Sequence, residues 1–230
     1  MASNYRHKNK YVTNSRLSER RFRGLPRLSC ADVTALSAAE PTGLNRSTAN
    51  RYYRMLRGRI AGTCEAESPF SGDAEADESC FGARRVRGRG AKGKTIVFGL
   101  LERGGKVHTQ IVPDVSRRTL MQVIDGRVDR SPTMCTDGFK SYDGLVDWGC
   151  KHRYRASRGE SEFVERGSPA NHINGMESFW GYAKNGLVKY QGVPKDEFCY
   201  HLKEREFRFN MRGQDICKFM LQELRKRVLN

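Results

Sequence analysis

The sequence lacks any apolar run approaching the roughly 18 residues that a membrane-spanning helix needs. Its beginning is polar and rich in arginine, without the apolar stretch of a secretion signal. No basic amphipathic helix with an aromatic face stands out, which makes an anionic membrane a weak candidate for a partner. We therefore expect no membrane partner and a cytoplasmic, nucleoid-associated protein.

Paired cysteines are also missing. The seven cysteines are an odd number, are widely scattered, and never form a C-x-x-C pair. This pattern argues against a disulfide framework and against a zinc ribbon. A chain of 230 residues is long enough to fold around an apolar core without either device.

Acidic residues are in deficit, since 26 Asp and Glu stand against 42 Lys and Arg and give a net charge of +16. A charge of this size destabilises a compact chain unless a polyanion lies nearby, so we expect nucleic acid as the partner. Residues 1–60 hold 13 of the basic residues and only three acids, and they therefore carry much of the surplus.

The charge pattern divides the chain. Residues 62–82 contain no basic residue and six acids, and turn residues lie at 68–72. We predict an N-terminal DNA-binding domain at 1–63, a linker at 64–72, a second domain at 73–190, and C-terminal helices at 191–230 that pack on the second domain. Just after the acidic stretch, six basic residues alternate with small residues and are expected to grip phosphates: Arg84, Arg85, Arg87, Arg89, Lys92 and Lys94.

The N-terminal domain shows the pattern of a helix-turn-helix. A first helix is predicted over 31–39, the segment from Pro41 to Gly43 breaks it, and Asn45 is placed to cap a second helix. The second helix carries apolar residues at i, i+4, i+7 and i+11, namely Ala49, Tyr53, Leu56 and Ile60. Polar residues on its other side are candidates for contact with bases and phosphates: Arg46, Ser47, Asn50, Arg51 and Arg54. A helical hairpin with a solvated basic face is the alternative.

The second domain has the pattern of an α/β fold. Strands are predicted at 74–81, 95–102, 106–113, 133–136 and 152–156, the second and third forming a hairpin. Helices are predicted at 116–124 and 171–187, followed by two C-terminal helices at 195–210 and 215–229. The longer of the first two helices carries a buried stripe of Ile173, Met176, Trp180, Ala183 and Leu187.

Three acidic residues are placed to present carboxylates. Asp77 lies in the first strand, Asp137 follows the end of the fourth, and Glu177 lies on the long helix. Neighbouring strands and one packed helix can bring such groups together, as a two-metal phosphoryl-transfer site requires. Glu78 adjoins Asp77, and either of the two could be a ligand or a surface charge. For Asp137 and Glu177 the simpler alternatives are a turn residue and a surface ion pair.

Two further residues share the helix face of Glu177. Asn174 lies three residues before it and Lys184 seven residues after it, so all three point the same way beside the apolar stripe.

Four segments of the chain resemble the landmark segments of one known family. They are EADESCFGARRVRGRGAKGKT, TDGFKSYDGL, HINGMESFWGYAK and HLKEREFRFN. In this order they are similar to DDE-type insertion-sequence transposases of the group related to Merlin elements, and the similarity runs from about Tyr11 to Arg212.

The resemblance implies an RNase H-like mixed sheet flanked by helices, behind an all-α helix-turn-helix domain. It implies Asp77, Asp137 and Glu177 as catalytic residues that bind two Mg²⁺ or Mn²⁺ ions, with Lys184 as a basic residue two helical turns later. Some relatives use the residue equivalent to Asn174 as third ligand, and Glu177 is preferred because a carboxylate binds magnesium better than an amide.

The activity implied by the resemblance is binding and metal-dependent strand cleavage at the ends of a mobile element, followed by strand transfer. The implied partner is double-stranded DNA, both the element ends and the target. Because two ends must be joined, we expect a homodimer or a larger assembly on DNA. A DNA-binding regulator, an inactive remnant, and a nuclease that cuts without joining are the alternative functions.

Overall fold

The computed structural model describes residues 9–67, 69–82, 93–129, 133–137, 140–149, 153–155 and 173–230. The chain forms two compact units, one built from Met1–Glu65 with Met211–Asn230 and the other from Ala66–Asn210. We call them the helical unit and the sheet unit. Within the described ranges, no helix combines the length and the apolar character needed to cross a membrane.

The described residues contain eight α-helices, five strands and a short 3-10 helix at Lys140–Asp143. The helices are α1 (Glu19–Cys30), α2 (Ala35–Thr42), α3 (Arg46–Glu65), α4 (Arg117–Arg127), α5 (Gly144–Trp148), α6 (Asn174–Val188), α7 (Lys195–Asn210) and α8 (Ile216–Lys226). The strands are β1 (Ala74–Phe81), β2 (Thr95–Glu102), β3 (Val107–Val112), β4 (Met134–Thr136) and β5 (Arg153–Arg155).

In the helical unit, α1, α2 and α3 pack on one another. The predicted stripe of α3 is buried, and the side chain of Asn45 accepts a hydrogen bond from the Thr48 amide at 2.7 Å, which confirms the predicted cap. Helix α1 was not predicted. It begins at the cap residue Ser18 and buries Phe22 and Leu25.

The predicted bounds of the first helix, 31–39, are corrected to Ala35–Thr42. The start is later because the Thr34 side chain caps the helix, accepting a hydrogen bond from the Ser37 amide at 3.2 Å. Pro41 lies inside the helix, next to its last residue, and does not break it. The helix ends at Gly43, whose φ of 63° is a left-handed conformation that glycine adopts without strain.

The C-terminal segment is divided between the two units. We expected residues 191–230 to pack together on the second domain, whereas α7 belongs to the sheet unit and α8 packs on α1. Backbone hydrogen bonds of 2.8 Å join Leu229 to Tyr11 and to Thr13, and so hold the chain end in the helical unit. The strongly amphipathic α8 buries Met220 and Leu224 there.

The sheet has the strand order β3-β2-β1-β4-β5. Strands β1, β2 and β3 are antiparallel neighbours, while β4 is parallel to β1 and β5 is parallel to β4. One face packs on α4 and α5 around Leu120, Ile124 and Leu145, and the other packs on α6 and α7 around Met176, Phe179 and Leu202. The predicted α/β class, with a mixed sheet flanked by helices, is confirmed.

Helix α7 covers the free edge of β3 with polar side chains. Asn210 donates to the Val107 carbonyl and accepts from the Val107 amide, both at 2.8 Å, and Glu206 accepts from the Thr109 amide at 2.7 Å. Lys203 lies 3.0 Å from Glu206 and balances its charge. These side chains take the place of a sixth strand and satisfy edge groups that would otherwise be buried without partners.

Candidate active site

The site lies where β1 and β4 run side by side. The two strands are parallel, with Ala74 opposite Met134 and Glu75 opposite Cys135, so the same register carries Asp77 to the level of Asp137. Side-chain oxygens of Asp77, Glu78 and Asp137 all lie within 4.8 Å of one another. We call these three residues the acidic cluster.

The presence of both Asp77 and Glu78 in the acidic cluster has a structural reason. Consecutive strand residues point to opposite faces of a sheet. Strand β4 ends at Thr136, however, so among the described residues β1 has no partner on that side from Asp77 onward. Side chains from both faces therefore reach the same edge. The sequence had left open which of the two is a ligand, and the structure brings both together.

Asp77 is held in an environment that disfavours its charge. Burial raises the pKa of its carboxyl group to about 6, the neighbouring charges of Asp137 and Glu177 add to the effect, and hydrogen bonds oppose it. One of these comes from the indole of Trp180, whose Nε1 donates to Asp77 Oδ2 at 3.0 Å. Trp180 is thus a core residue that also orients the carboxylate.

Glu78 also lies in an environment that disfavours its charged form. Burial raises the pKa of its carboxyl group to about 7, an interaction with the Tyr142 hydroxyl opposes the shift, and the charges of Asp137 and Asp77 add to it. Half-buried Asp77 and Glu78 and exposed Asp137 repel one another and provide hard oxygen ligands whose charge a divalent cation would neutralise. The residues present therefore fit such an ion.

Glu177 lies close to the acidic cluster without belonging to it. It is exposed in the first turn of α6, near enough for its charge to act on Asp77. Asn174 is exposed at the start of the same helix. Lys184 lies seven residues after Glu177, about 10 Å further along the helix axis, and its Nζ is 5.6 Å from the centre of the Phe81 ring. The ligand and catalytic roles of these residues remain predictions.

Sequence reasoning overlooked Glu75. This residue is 2% exposed, accepts a hydrogen bond from the Met176 amide at 2.9 Å, and lies 3.6 Å from Arg103 Nε. It thereby fixes the first turn of α6, which carries Glu177, to the strand that carries Asp77. A signal was available in the sequence, because acids at 73, 75 and 77 alternate with alanines and share one face of a strand.

Two glycines let α6 approach the sheet closely. A Cβ atom at Gly175 would clash with the side chain of Leu101 and lie 2.8 Å from Glu75 Oε2. A Cβ atom at Gly99 on β2 would clash with Met176 and lie 2.7 Å from Trp180. The position of Glu177 on α6 therefore depends on two glycines that have no reactive side chain.

The predicted DNA-binding residues fall into two groups. All five residues predicted on α3 are exposed, on the side opposite the buried stripe: Arg46, Ser47, Asn50, Arg51 and Arg54. In the basic run of the sheet unit, Lys94 is half-buried just before β2. The other residues of that run lie outside the described residues: Arg84, Arg85, Arg87, Arg89 and Lys92.

Comparison with known proteins identifies the sheet unit. Residues 67–210 match the ISXO2-like transposase domain. An uncharacterized transposase-like protein of Haemophilus influenzae is 39% identical over 105 residues, which cover 46% of this chain and 81% of that protein. An uncharacterized protein in the transposable element ISH50 of Halobacterium salinarum is 30% identical over 143 residues, covering 60% of this chain and 48% of that protein. The chain therefore belongs to the ISXO2-like family of insertion-sequence transposases, and its sheet unit is the RNase H-like domain of that family.

Proposed function

We propose that this protein is the DNA transposase of an insertion sequence, binding the element ends and catalysing metal-dependent strand cleavage and strand transfer. The observation that carries the proposal is the convergence of Asp77, Glu78 and Asp137 at one sheet edge of a transposase-family domain. Asp77 and Glu78 lie on β1, and Asp137 directly follows β4, about sixty positions later in the chain. A purely DNA-binding protein has no need for three mutually repelling carboxylates at one sheet edge, two of them half-buried.

The proposed cofactor is a pair of Mg²⁺ or Mn²⁺ ions. Asp77 and Asp137 would hold them together with Glu177, and Glu78 offers a further carboxylate at the same edge. When bound, such ions activate an attacking hydroxyl group or water and stabilise the charge of the leaving oxygen. Asn174 is the alternative third ligand at the start of α6.

The protein's own groups prepare the site for this chemistry. Trp180 holds the Asp77 carboxylate by a hydrogen bond of 3.0 Å. Glu75 holds the first turn of α6, so that Glu177 is presented beside Asp77. Lys184 places a positive charge further along α6, where it is suited to a DNA phosphate. The reaction proceeds by direct attack on phosphodiesters, and no covalent intermediate with the protein is proposed.

DNA binding is assigned to two surfaces. Helix α3 follows α2 after a three-residue turn, and its polar side is exposed. This is the arrangement in which a recognition helix enters the major groove. Five α3 residues are proposed to contact bases and phosphates: Arg46, Ser47, Asn50, Arg51 and Arg54. The run from Arg84 to Lys94 is proposed to supply six positive charges to DNA phosphates.

The test is incubation of the purified full-length protein with labelled duplex DNA that carries the flanking ends of the element, in Mg²⁺ or Mn²⁺. We expect nicking at the element end and joining of the freed 3′ hydroxyl group to target DNA. Asp137→Asn should abolish both products and leave DNA binding intact.

Each other outcome identifies a different function. Cleavage without a joined product would show a nuclease. Binding with neither product would show a regulator or an inactive remnant. Cross-linking on paired element ends should also capture at least a homodimer, because both ends must be present for joining.

A further inference from the structure

A cleft opens in the sheet unit where β1 and α6 lead away from the acidic cluster. Its volume is about 650 Å³, within the range of small-ligand sites. The walls include apolar side chains from α6, from the segment after it and from α7, and two lysines also line it. Its lining includes Phe81, Lys184, Leu187, Val188, Val193 and Lys195. We call this space the lysine cleft.

We infer that the lysine cleft binds one unpaired nucleotide of the DNA substrate, with the base against the apolar wall and the phosphate beside Lys184 and Lys195. The inference rests on the proposed function, since it takes DNA as the partner and the acidic cluster as the point of cleavage. It adds a binding site for an extruded base, which neither the acidic cluster nor the α3 surface provides.

The lining of the cleft matches the two parts of a nucleotide. Val188 is 71% exposed, and Leu187 and Val193 are only partly buried, so apolar surface stands open to solvent. Covering such a surface with a base is favourable, because apolar contact area is removed from water. The ammonium group of Lys184, 5.6 Å from the Phe81 ring centre, and the exposed Lys195 supply charge for a phosphate.

The location of the cleft agrees with a nucleotide near the point of cleavage. Trp180 contacts Asp77 and Lys184 contacts Phe81, so α6 and β1 run in the same direction from the acidic cluster. Four strand residues from Asp77 to Phe81 span about 13 Å. A DNA strand advances about 3.4 Å per nucleotide, so this distance corresponds to roughly three or four nucleotides.

The nucleotide must be unpaired because a paired base is stacked on both faces and cannot lie against the cleft wall. Extrusion of a base costs stacking and pairing energy, which the protein recovers through contacts with the extruded base.

The experiment uses 2-aminopurine, a base whose fluorescence rises when it is unstacked. Element-end duplexes with 2-aminopurine at each of the terminal positions are titrated with full-length Asp137→Asn protein, which leaves the DNA uncut. We expect a several-fold rise at one position close to the cleavage point. Val188→Glu and Lys195→Glu should remove that rise and weaken binding about tenfold, as the loss of one bound base predicts.

The matched control is Val228→Glu, at an exposed valine of the helical unit. It should leave the fluorescence rise unchanged. Thermal melts of all variants check folding, which exposed Val188 and Lys195 should not affect. A rise at no position, or an equal rise in Val188→Glu protein that melts normally, would overturn the inference.

The outcome is separable from that of the proposed function. Wild-type protein that cuts and joins DNA without any fluorescent position would refute the cleft and leave the transposase assignment standing. A fluorescence rise at one position without any DNA cutting would support the cleft and count against the transposase assignment. Micromolar binding of free dAMP, abolished by Val188→Glu in the absence of DNA, would identify a site for a free nucleotide and overturn the inference.

Discussion

The carboxylate of Glu75 accepts a hydrogen bond from the backbone amide of Met176 at 2.9 Å, across 101 residues of sequence. A buried negative charge at the first turn of a helix satisfies an unpaired amide and interacts favourably with the helix dipole. The ion pair with Arg103 Nε at 3.6 Å balances that charge on the strand side. The contact thus links the strand of Asp77 to the helix of Glu177.

Replacement of Glu75 should show how much this residue contributes to the stability of the fold and how much to the assembly of the metal site. We expect Glu75→Ala to lower the free energy of unfolding by about 2–3 kcal/mol, because it removes a charged buried hydrogen bond and leaves Arg103 without this carboxylate. Glu75→Gln retains an acceptor oxygen and should lose less. Urea denaturation measures both values, and Mn²⁺ titration of the folded variants measures the site. Equal stability of Glu75→Ala and wild type would contradict this role.

Glycines on α6 provide a matched pair of substitutions. Gly175→Ala should destabilise the protein by about 1–3 kcal/mol, because the new methyl group has no room between Leu101 and Glu75. Gly181→Ala places the same group on the same helix with nothing within 4 Å, and it should stabilise the protein by roughly 0.5–1 kcal/mol. Thermal denaturation compares the two, and the same sign for both would contradict the close approach of α6.

The acidic cluster should make the metal-free protein less stable as pH rises. The pKa values of Asp77 and Glu78 are raised to about 6 and about 7. The folded state therefore binds more protons than the unfolded state between about pH 4 and pH 7, and stability falls with rising pH across that interval. A double variant, Asp77→Asn with Glu78→Gln, should gain stability relative to wild type from pH 5 to pH 8.

The comparison with the double variant is needed because His108 acts in the opposite direction. Burial lowers the pKa of its imidazole to about 3, so its contribution to stability grows as pH rises towards 6.5. The contribution of His108 is the same in wild type and double variant, so it cancels when their stabilities are compared. Mg²⁺ or Mn²⁺ should stabilise wild type more at pH 8 than at pH 5, since protons compete with the ions. A metal effect independent of pH would exclude the acidic cluster as the binding site.

The exposed side of α3 can be tested through the salt dependence of DNA binding. Arg51→Ala should weaken binding and reduce the slope of log K against log salt by about 1, as expected for one lost phosphate contact. Lys226→Ala removes an exposed cation of α8 that pairs with Glu223 at 2.7 Å, and it serves as the control. Fluorescence anisotropy at several salt concentrations measures both slopes, and identical slopes would count against α3 as the contact surface.

Local patterns predicted most elements well. The bounds of β1, β2 and α7 agree with those expected, and Asn45 caps α3 as predicted. These features depend on residues within a few positions of each other, through strand alternation, helical periodicity and capping. Two elements were misjudged. In α1 the apolar residues Phe22 and Leu25 lie among charged ones, which masks a short apolar pattern. In α2 the Thr34 side chain caps the helix and sets its start four residues later than predicted.

The amino-acid order was enough to predict an α/β domain behind a basic helical one, with Asp77 in a strand, Asp137 at a strand end and Glu177 on a helix, because neighbouring side chains encode these states. It did not reveal that Glu78 joins Asp77 and Asp137, that Glu75 fastens α6, or that α8 packs on α1. Each of these depends on which distant segments become neighbours. The packing of the whole chain decides this. An amphipathic pattern shows that one face of a helix must be buried, but it does not show which other element packs against that face.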